Sequence, residues 1–184
     1  MIRLFSIAVL LFLSSFSFQK AGTIKTTRLD VKKSSLTYHV SHPMHEWDGI
    51  SKEVAGAVQT DDNSGLVTKV VISAKVSSFD SKNSNRDSHM LEVTDAIKYP
   101  SVTFVSTTVK DNGATLDVAG KISFHNVSRE VHFTAAAKPS GKNRQVTGNF
   151  VLLMEDFNIE RPSLMLVKTD NEMKMSFSVE YPVN

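Results

Sequence analysis

Apolar side chains recur at every second position through most of this chain, and that period dictates strands. From Lys69 to Ser77, Val70, Ile72, Ala74 and Val76 share one face. Lys69, Ser73, Lys75 and Ser77 take the other, and only Val71 is out of step. From Leu116 to Phe124 the inner set is Leu116, Val118, Gly120, Ile122 and Phe124, with Asp117, Ala119, Lys121 and Ser123 outside. Val131, Phe133, Ala135 and Ala137 repeat the pattern. Met173, Met175, Phe177, Val179 and Tyr181 give its cleanest case, with Lys174, Ser176, Ser178 and Glu180 expected outside. Successive side chains of a strand point to opposite faces of a sheet, so each segment has one apolar face that must be covered.

Further strands are expected at Ser35–Val40, Val54–Thr60, Val102–Lys110 and Gln145–Met154, about eight in all. Clusters of turn-forming residues separate them: Asp61-Asp62-Asn63-Ser64-Gly65, Asp111-Asn112-Gly113, His125-Asn126-Val127-Ser128 and Pro139-Ser140-Gly141-Lys142-Asn143. Such clusters suit short hairpins between antiparallel neighbours. Residues 83–96 break the period. Met90, Leu91 and Val93 suit a short helix there, and Pro100 stops it. Eight one-faced strands in a lone domain close into a barrel or stack as a sandwich. A polar outer face with no second sheet to cover favours an all-β antiparallel barrel. Such a barrel is filled by its own side chains or holds one small ligand. The pattern leaves both open: inward Ala74, Gly120, Ala135 and Gly148 leave room, and Phe and Met can fill it. No charge falls on the clean inner faces, so a guest would be apolar.

The amino terminus carries a different signal. Met1-Ile2-Arg3 is a short basic start, Leu4 to Leu13 is uninterruptedly apolar, and Ser15 and Ser17 supply the small residues of a cleavage site after Ser17. That order is a secretory signal, and the run is too short for a membrane span, which needs about 20 residues. Residues 1–17 are therefore expected to be removed. A cut after Ala21 would set Gln19 where a small residue belongs and fits less well. Residues 18–184 then form one domain, exported to a periplasm or secreted. The absence of Cys excludes disulfide staples, Cys metal sites and a lipoprotein anchor. Without Arg3 there are 20 basic and 19 acidic residues, scattered along the chain, which is no nucleic-acid footprint.

Several ordered motifs carry more specific information. Leu29-Asp30 and Ser34-Ser35-Leu36 lead through Tyr38 to His42, and Asn85-Arg86-Asp87-Ser88-His89-Met90 follows. Next come Lys98-Tyr99-Pro100-Ser101-Val102-Thr103-Phe104, Gly120 through Arg129, and Asp156-Phe157-Asn158-Ile159. In this order residues 27–181 resemble the YceI-like, polyisoprenoid-binding family. The resemblance implies a lipocalin-like extended barrel with a tunnel for an isoprenoid or similar long-chain amphiphile, carried or sequestered rather than transformed. Asn126 and Asn158 stand where the family has Gly, and Asn tolerates a left-handed backbone. Thr94-Asp95-Ala96-Ile97 lacks the family's paired Phe, which leaves ligand length and headgroup open. Tunnel candidates are Val70, Ile72, Phe104, Leu116, Val118, Ile122, Phe133, Phe150, Met173, Met175 and Phe177. Mouth candidates are His42, Trp47, Arg86 and His89. The expected partner is a long-chain amphiphilic lipid, with transient membrane contact, no nucleic acid and no resident cofactor; oligomeric state is left open.

The rival reading is a metal- or quinone-dependent enzyme using His39, His42 and His45, with Asp87 and His89 as further ligands. Against it, the three histidines fall on a strand and the loop after it, and no His-Glu-x-x-His spacing occurs. His42 and His89 are better read as hydrogen-bonding tethers of loops. Gly-x-Ser-x-Gly elbows and Gly-rich phosphate cradles are both missing. Arg86 and Asp87 are expected to pair within the helical segment, with Asp87 capping it. The alternative for Arg86 is an anionic headgroup. Trp47 plugs a barrel end or lines its mouth. Asn126-Val127-Ser128 matches the glycosylation sequon.

Overall fold

The computed structural model describes residues 23–183, so the segment read as a signal lies outside the described residues. The chain runs through β1 (Ile24–Arg28), β2 (Ser35–His42), β3 (His45–Ser51), β4 (Ala55–Asp61), β5 (Val67–Lys75) and β6 (Phe79–Asp80). The helix α1 (Ser84–Val93) is next, followed by β7 (Ser101–Asp111), β8 (Thr115–Phe124), β9 (Val127–Ser140) and β10 (Asn143–Leu153). A short hairpin, β11 (Ser163–Leu164) and β12 (Val167–Lys168), precedes β13 (Glu172–Pro182). Eleven strands form one antiparallel sheet in the order β1-β4-β5-β7-β8-β9-β10-β13-β2-β3-β6. No described helix is long and apolar enough to cross a membrane.

All eight expected strands are present, and the short helix falls inside the expected window. The sheet curls so far that Leu36 of β2 and Val58 of β4, distant in the ladder, line one interior. The ladder is not closed by strand pairing, because β1 and β6 are its two ends. The turn between β1 and β2 instead ties one edge across to β13. The Asp30 N–H donates to the Glu180 carbonyl (2.7 Å), and the Glu180 N–H donates to Ser34 Oγ (3.2 Å). Five strands escape the apolar period, three of them the two-residue β6, β11 and β12 and the others β1 and β3. β1 is an edge strand that pairs only with β4 and has little to bury. The stretch expected as a loop around Trp47 is strand β3, whose Glu46, Asp48 and Gly49 conceal it. It pairs along β2, with Trp47 opposite Val40 and Gly49 opposite Tyr38.

Asn126 and Asn158 do adopt the left-handed conformation, with φ of 60° and 56°. With His125 also at φ 47°, the β8–β9 connection is the two-residue turn whose twist matches paired strands. The helix is capped by Asn83, whose Oδ1 accepts from the Arg86 N–H (3.1 Å). Asp87 is not the cap; its carboxylate accepts from the Ser81 N–H (3.0 Å) and ties α1 to the end of β6.

The interior has two layers. One is built on Val58, Leu116, Val118, Ala135 and Tyr181, the other on Tyr38, Ile122, Leu152, Phe157 and Met175. Met90 and Val93 of α1 close the second layer from above. The room expected beside Gly120 and Gly148 is taken. A Cβ at Gly120 would lie 2.5 Å from the Phe104 ring, and one at Gly148 2.7 Å from the Phe177 ring. Each glycine is the seat of an aromatic ring.

Two charged groups correct the expectation for the strand faces. Glu180 is only 6% exposed, because Ser140 Oγ (3.1 Å), Asn143 Nδ2 (3.0 Å) and Lys33 Nζ (3.4 Å) cover it. Arg144, one residue before the expected start of its strand, points inward at the end of the barrel opposite α1. It holds Asp111 by two hydrogen bonds, Nη1 to Oδ2 at 2.5 Å and Nη2 to Oδ1 at 2.7 Å. The Asp111 side chain is fully buried, and the Val67 and Gly113 N–H groups, each at 2.9 Å, complete its shell. Arg144 also donates to the Gly113 carbonyl (2.6 Å) and the Tyr181 hydroxyl (3.3 Å).

Candidate functional site

Two cavities occupy the barrel. The larger, about 400 Å³, lies beneath α1 and the β2–β3 and β11–β12 hairpins. The smaller, about 100 Å³, lies in the deep half. Val102, Leu152 and Met175 line both and form the neck between them. Of the tunnel candidates, Val70, Ile72, Phe104, Leu116 and Val118 line the deep cavity, as do Ile122, Phe133, Phe150 and Phe177. Met173 lines the large cavity and Met175 both. His42, Trp47, Arg86 and His89 all line the large cavity.

Alternation along the β2–β3 hairpin and the first turn of α1 builds one wall of the large cavity as a stack. The His42 and His45 rings are 5.4 Å apart, His45 and Trp47 are 5.2 Å apart, and the Arg86 guanidinium carbon sits 5.0 Å from the Trp47 ring centre. A guanidinium over an indole is worth about 0.5–2 kcal/mol and is held in place by it. Arg86 Nε donates to Ser81 Oγ (2.9 Å) and Nη2 to the Ser81 carbonyl (3.2 Å). The expected Arg86–Asp87 pair is not formed, and among the described residues Arg86 makes no salt bridge. Its charge is therefore available to the cavity.

Two hydroxyls in the same cavity lack partners. Tyr38 Oη and Thr169 Oγ1 are buried with no hydrogen bond, although their residues are only 7% and 3% exposed. A buried hydroxyl left unpaired costs about 1–3 kcal/mol. Burial, and secondarily Asp87, push the Tyr38 phenol above its ordinary pKa, while the Trp47 indole and Arg86 oppose them. The indole completes no hydrogen bond to the phenol. Tyr38 is thus a neutral phenol whose hydroxyl is buried in the cavity wall without a partner. Its inward parity with Val40 was a usable sequence signal. Thr169, in the loop after β12, carried none.

The histidines divide. His42 is a tether: its Nε2 meets the Val167 carbonyl (3.1 Å) and its Nδ1 accepts from the Met44 N–H (3.2 Å), which sets the proton on Nε2. His89 makes no side-chain hydrogen bond among the described residues, so it is not the second tether. His39 lies on the outer face, 2.9 Å from Asp48 and 3.6 Å from Glu46. Alternation along β2 separates it from His42, and no group of three His, Asp or Glu among the described residues is placed to hold a metal. The proposed catalytic set of His39, His42 and His45 does not assemble. The β11–β12 hairpin rims the cavity, and its tip, Met165 and Leu166, is 77% and 100% exposed.

Residues 28–181 match the model of the YceI-like domain. A UPF0312 protein of Pseudomonas putida strain F1 is 30% identical over 161 residues, covering 83% of this chain and 79% of the relative. Protein YceI of Salmonella newport is 26% identical over 154 residues, 79% of each chain. Among solved structures, BcnA of Burkholderia cenocepacia superposes with a TM-score of 0.73 at 19% identity, over 83% of this chain and 98% of that one. A Saccharophagus degradans domain described as polyisoprenoid-binding gives 0.72 at 14% identity, over 88% and 100%. Since the matching region runs from Arg28 at the end of β1 to Tyr181 in β13, it takes in the curled sheet from β2 through nearly all of β13, and the chain belongs to the YceI-like domain family.

Proposed function

We propose that this protein is exported and binds a lipid, holding the apolar chain of an amphiphile in the large cavity for carriage or sequestration without transforming it. The observation that carries this reading is the cavity itself: about 400 Å³, mostly walled by apolar side chains, with a guanidinium that makes no salt bridge among the described residues and two unpartnered hydroxyls buried in its wall. Each buried methylene contributes on the order of 0.8 kcal/mol, so a chain can bind with few polar contacts. The polar head is then met by Arg86 and Tyr38. Family membership and the polyisoprenoid-binding description of one structural neighbour support a lipid ligand. The basic start and apolar run of residues 1–17 support export.

Native mass spectrometry of the mature protein, with solvent extraction of whatever it carries, tests the reading. A discrete added mass that extracts as a prenyl or acyl lipid is the expected result. A clean mass with no uptake of added lipids would point instead to a barrel filled by its own side chains. Tyr38→Phe gives a sharper check, because it removes the unpaired hydroxyl. The variant is expected to unfold at the same or a higher temperature, by up to about 1–3 kcal/mol in stability, yet to bind its lipid more weakly. A loss of stability with unchanged affinity would take Tyr38 out of the site.

The exposed Met165–Leu166 tip beside the cavity is our proposed point of transient membrane contact. Changing both residues to Asp should slow lipid uptake from vesicles while leaving uptake from detergent unaffected. Equal slowing in both, or in neither, would remove the tip from loading.

A further inference from the structure

We infer that this protein selects short amphiphiles, because four phenylalanines below the neck act as a stop for the ligand's chain. The inference rests on the lipid-binding reading above and adds which chains it takes. The large cavity is about 400 Å³ and the deep one about 100 Å³, so most of a bound chain must sit above the neck.

What fills the deep half is a cluster centred on Phe133. Its ring centre is 5.3 Å from Phe150, stacked, 5.5 Å from Phe177, edge-on, and 5.7 Å from Phe104. Two of those rings are seated on glycines, Phe104 on Gly120 and Phe177 on Gly148. The absence of a Cβ is thus used to bring rings into the lumen rather than to widen it. The far end offers no exit, since the Asp111–Arg144 pair and Tyr181 close it. A chain descending from Arg86 passes the neck at Val102, Leu152 and Met175 and meets the Phe133 ring. A chain longer than the large cavity must either displace the cluster or leave its tail in water.

Chain length is the readout. The wild-type protein is titrated with geraniol, farnesol, geranylgeraniol and solanesol, and with saturated fatty acids from decanoic to docosanoic. Below the stop, affinity should rise by about fourfold per added methylene. Above it, at a length reached well before solanesol, the rise should cease. Phe133→Ala should move that break to longer chains. Phe133→Leu, which keeps the core apolar, should move it less and serves where the alanine variant folds poorly. A wild-type affinity that keeps rising to solanesol, or a break unmoved in the folded variants, would overturn the stop. If the wild type binds no member of either series, the lipid-binding reading itself fails, and the stop with it.

Discussion

Replacing Arg144 with Met should lower the stability of the barrel by about 3–5 kcal/mol and its melting temperature by on the order of 10 °C. The effect is large because the substitution strands a carboxylate. Asp111 is fully buried, and after the change only the Val67 and Gly113 N–H groups would face its charge. Breaking a buried pair by removing one partner costs more than the pair contributes, since the remaining ion has no water to return to. The double variant Arg144→Met/Asp111→Leu should therefore recover most of the loss. A single variant as stable as the wild type would mean that Asp111 is solvated.

The same pair sets a pH dependence. Burial alone would raise the Asp111 carboxyl, but hydrogen bonds from Arg144 and from the Val67 and Gly113 amides outweigh it and hold the group below the usual carboxylate range. Arg144 is shifted upward, first by its hydrogen bond to Asp111. For a carboxylate with a depressed folded pKa, the stabilisation is complete above the unfolded value, about 4, and fades as pH falls through the folded one. Acid unfolding monitored by circular dichroism should therefore show a steeper loss below about pH 4 in the wild type than in the double variant.

Phe177→Asp should yield no folded barrel. The ring packs edge-on against Phe133, lies 6.3 Å from Phe150 and rests on Gly148, in a cavity lined by apolar side chains except for Thr103 and Tyr181. Truncating a packed Phe costs about 3–5 kcal/mol, and placing an unpaired carboxylate there adds several more against a total stability of about 5–15. The adjacent Ser176 is exposed on the outer face, and Ser176→Asp should change stability by no more than about 0.5 kcal/mol. Measuring both by denaturant unfolding tests the parity of β13 directly. A stable Phe177→Asp protein would place that ring outside.

These outcomes also show which parts of the molecule were legible in the sequence. The long strands were, because the period of two survives wherever one face is buried, and Phe177, Leu116 and Val118 all line the interior as that period requires. β3 was not, because a strand near the end of the ladder that carries Glu46 and Asp48 outward and Gly49 inward shows no apolar rhythm. Arg144 was hidden by its position at a strand end, where an inward charge is compensated by Asp111, distant in sequence and read as part of a turn. Of the mouth candidates, His42, Arg86 and His89 came from the family motifs and Trp47 from its place after the first long strand, and all four line the large cavity. The tether role was expected of His42 and His89 alike, and only the contacts with Val167 and Trp47, which no local pattern encodes, separate His42 as the tether from Arg86 as the cation without a salt bridge.

The place of β13, between β10 and β2, bears on when this protein acquires its structure. Leu36 pairs with Phe177 and Val40 with Met173, so the second strand waits for the last one across on the order of 140 intervening residues. Until that strand exists, the ladder is two fragments, each exposing half of an unfinished interior. Non-local pairing of this kind makes folding slow, in milliseconds to seconds, and leaves apolar edges open in the meantime. A growing chain therefore cannot complete its interior before β13 is made, and until that strand is available it can be held by a chaperone or lost to aggregation.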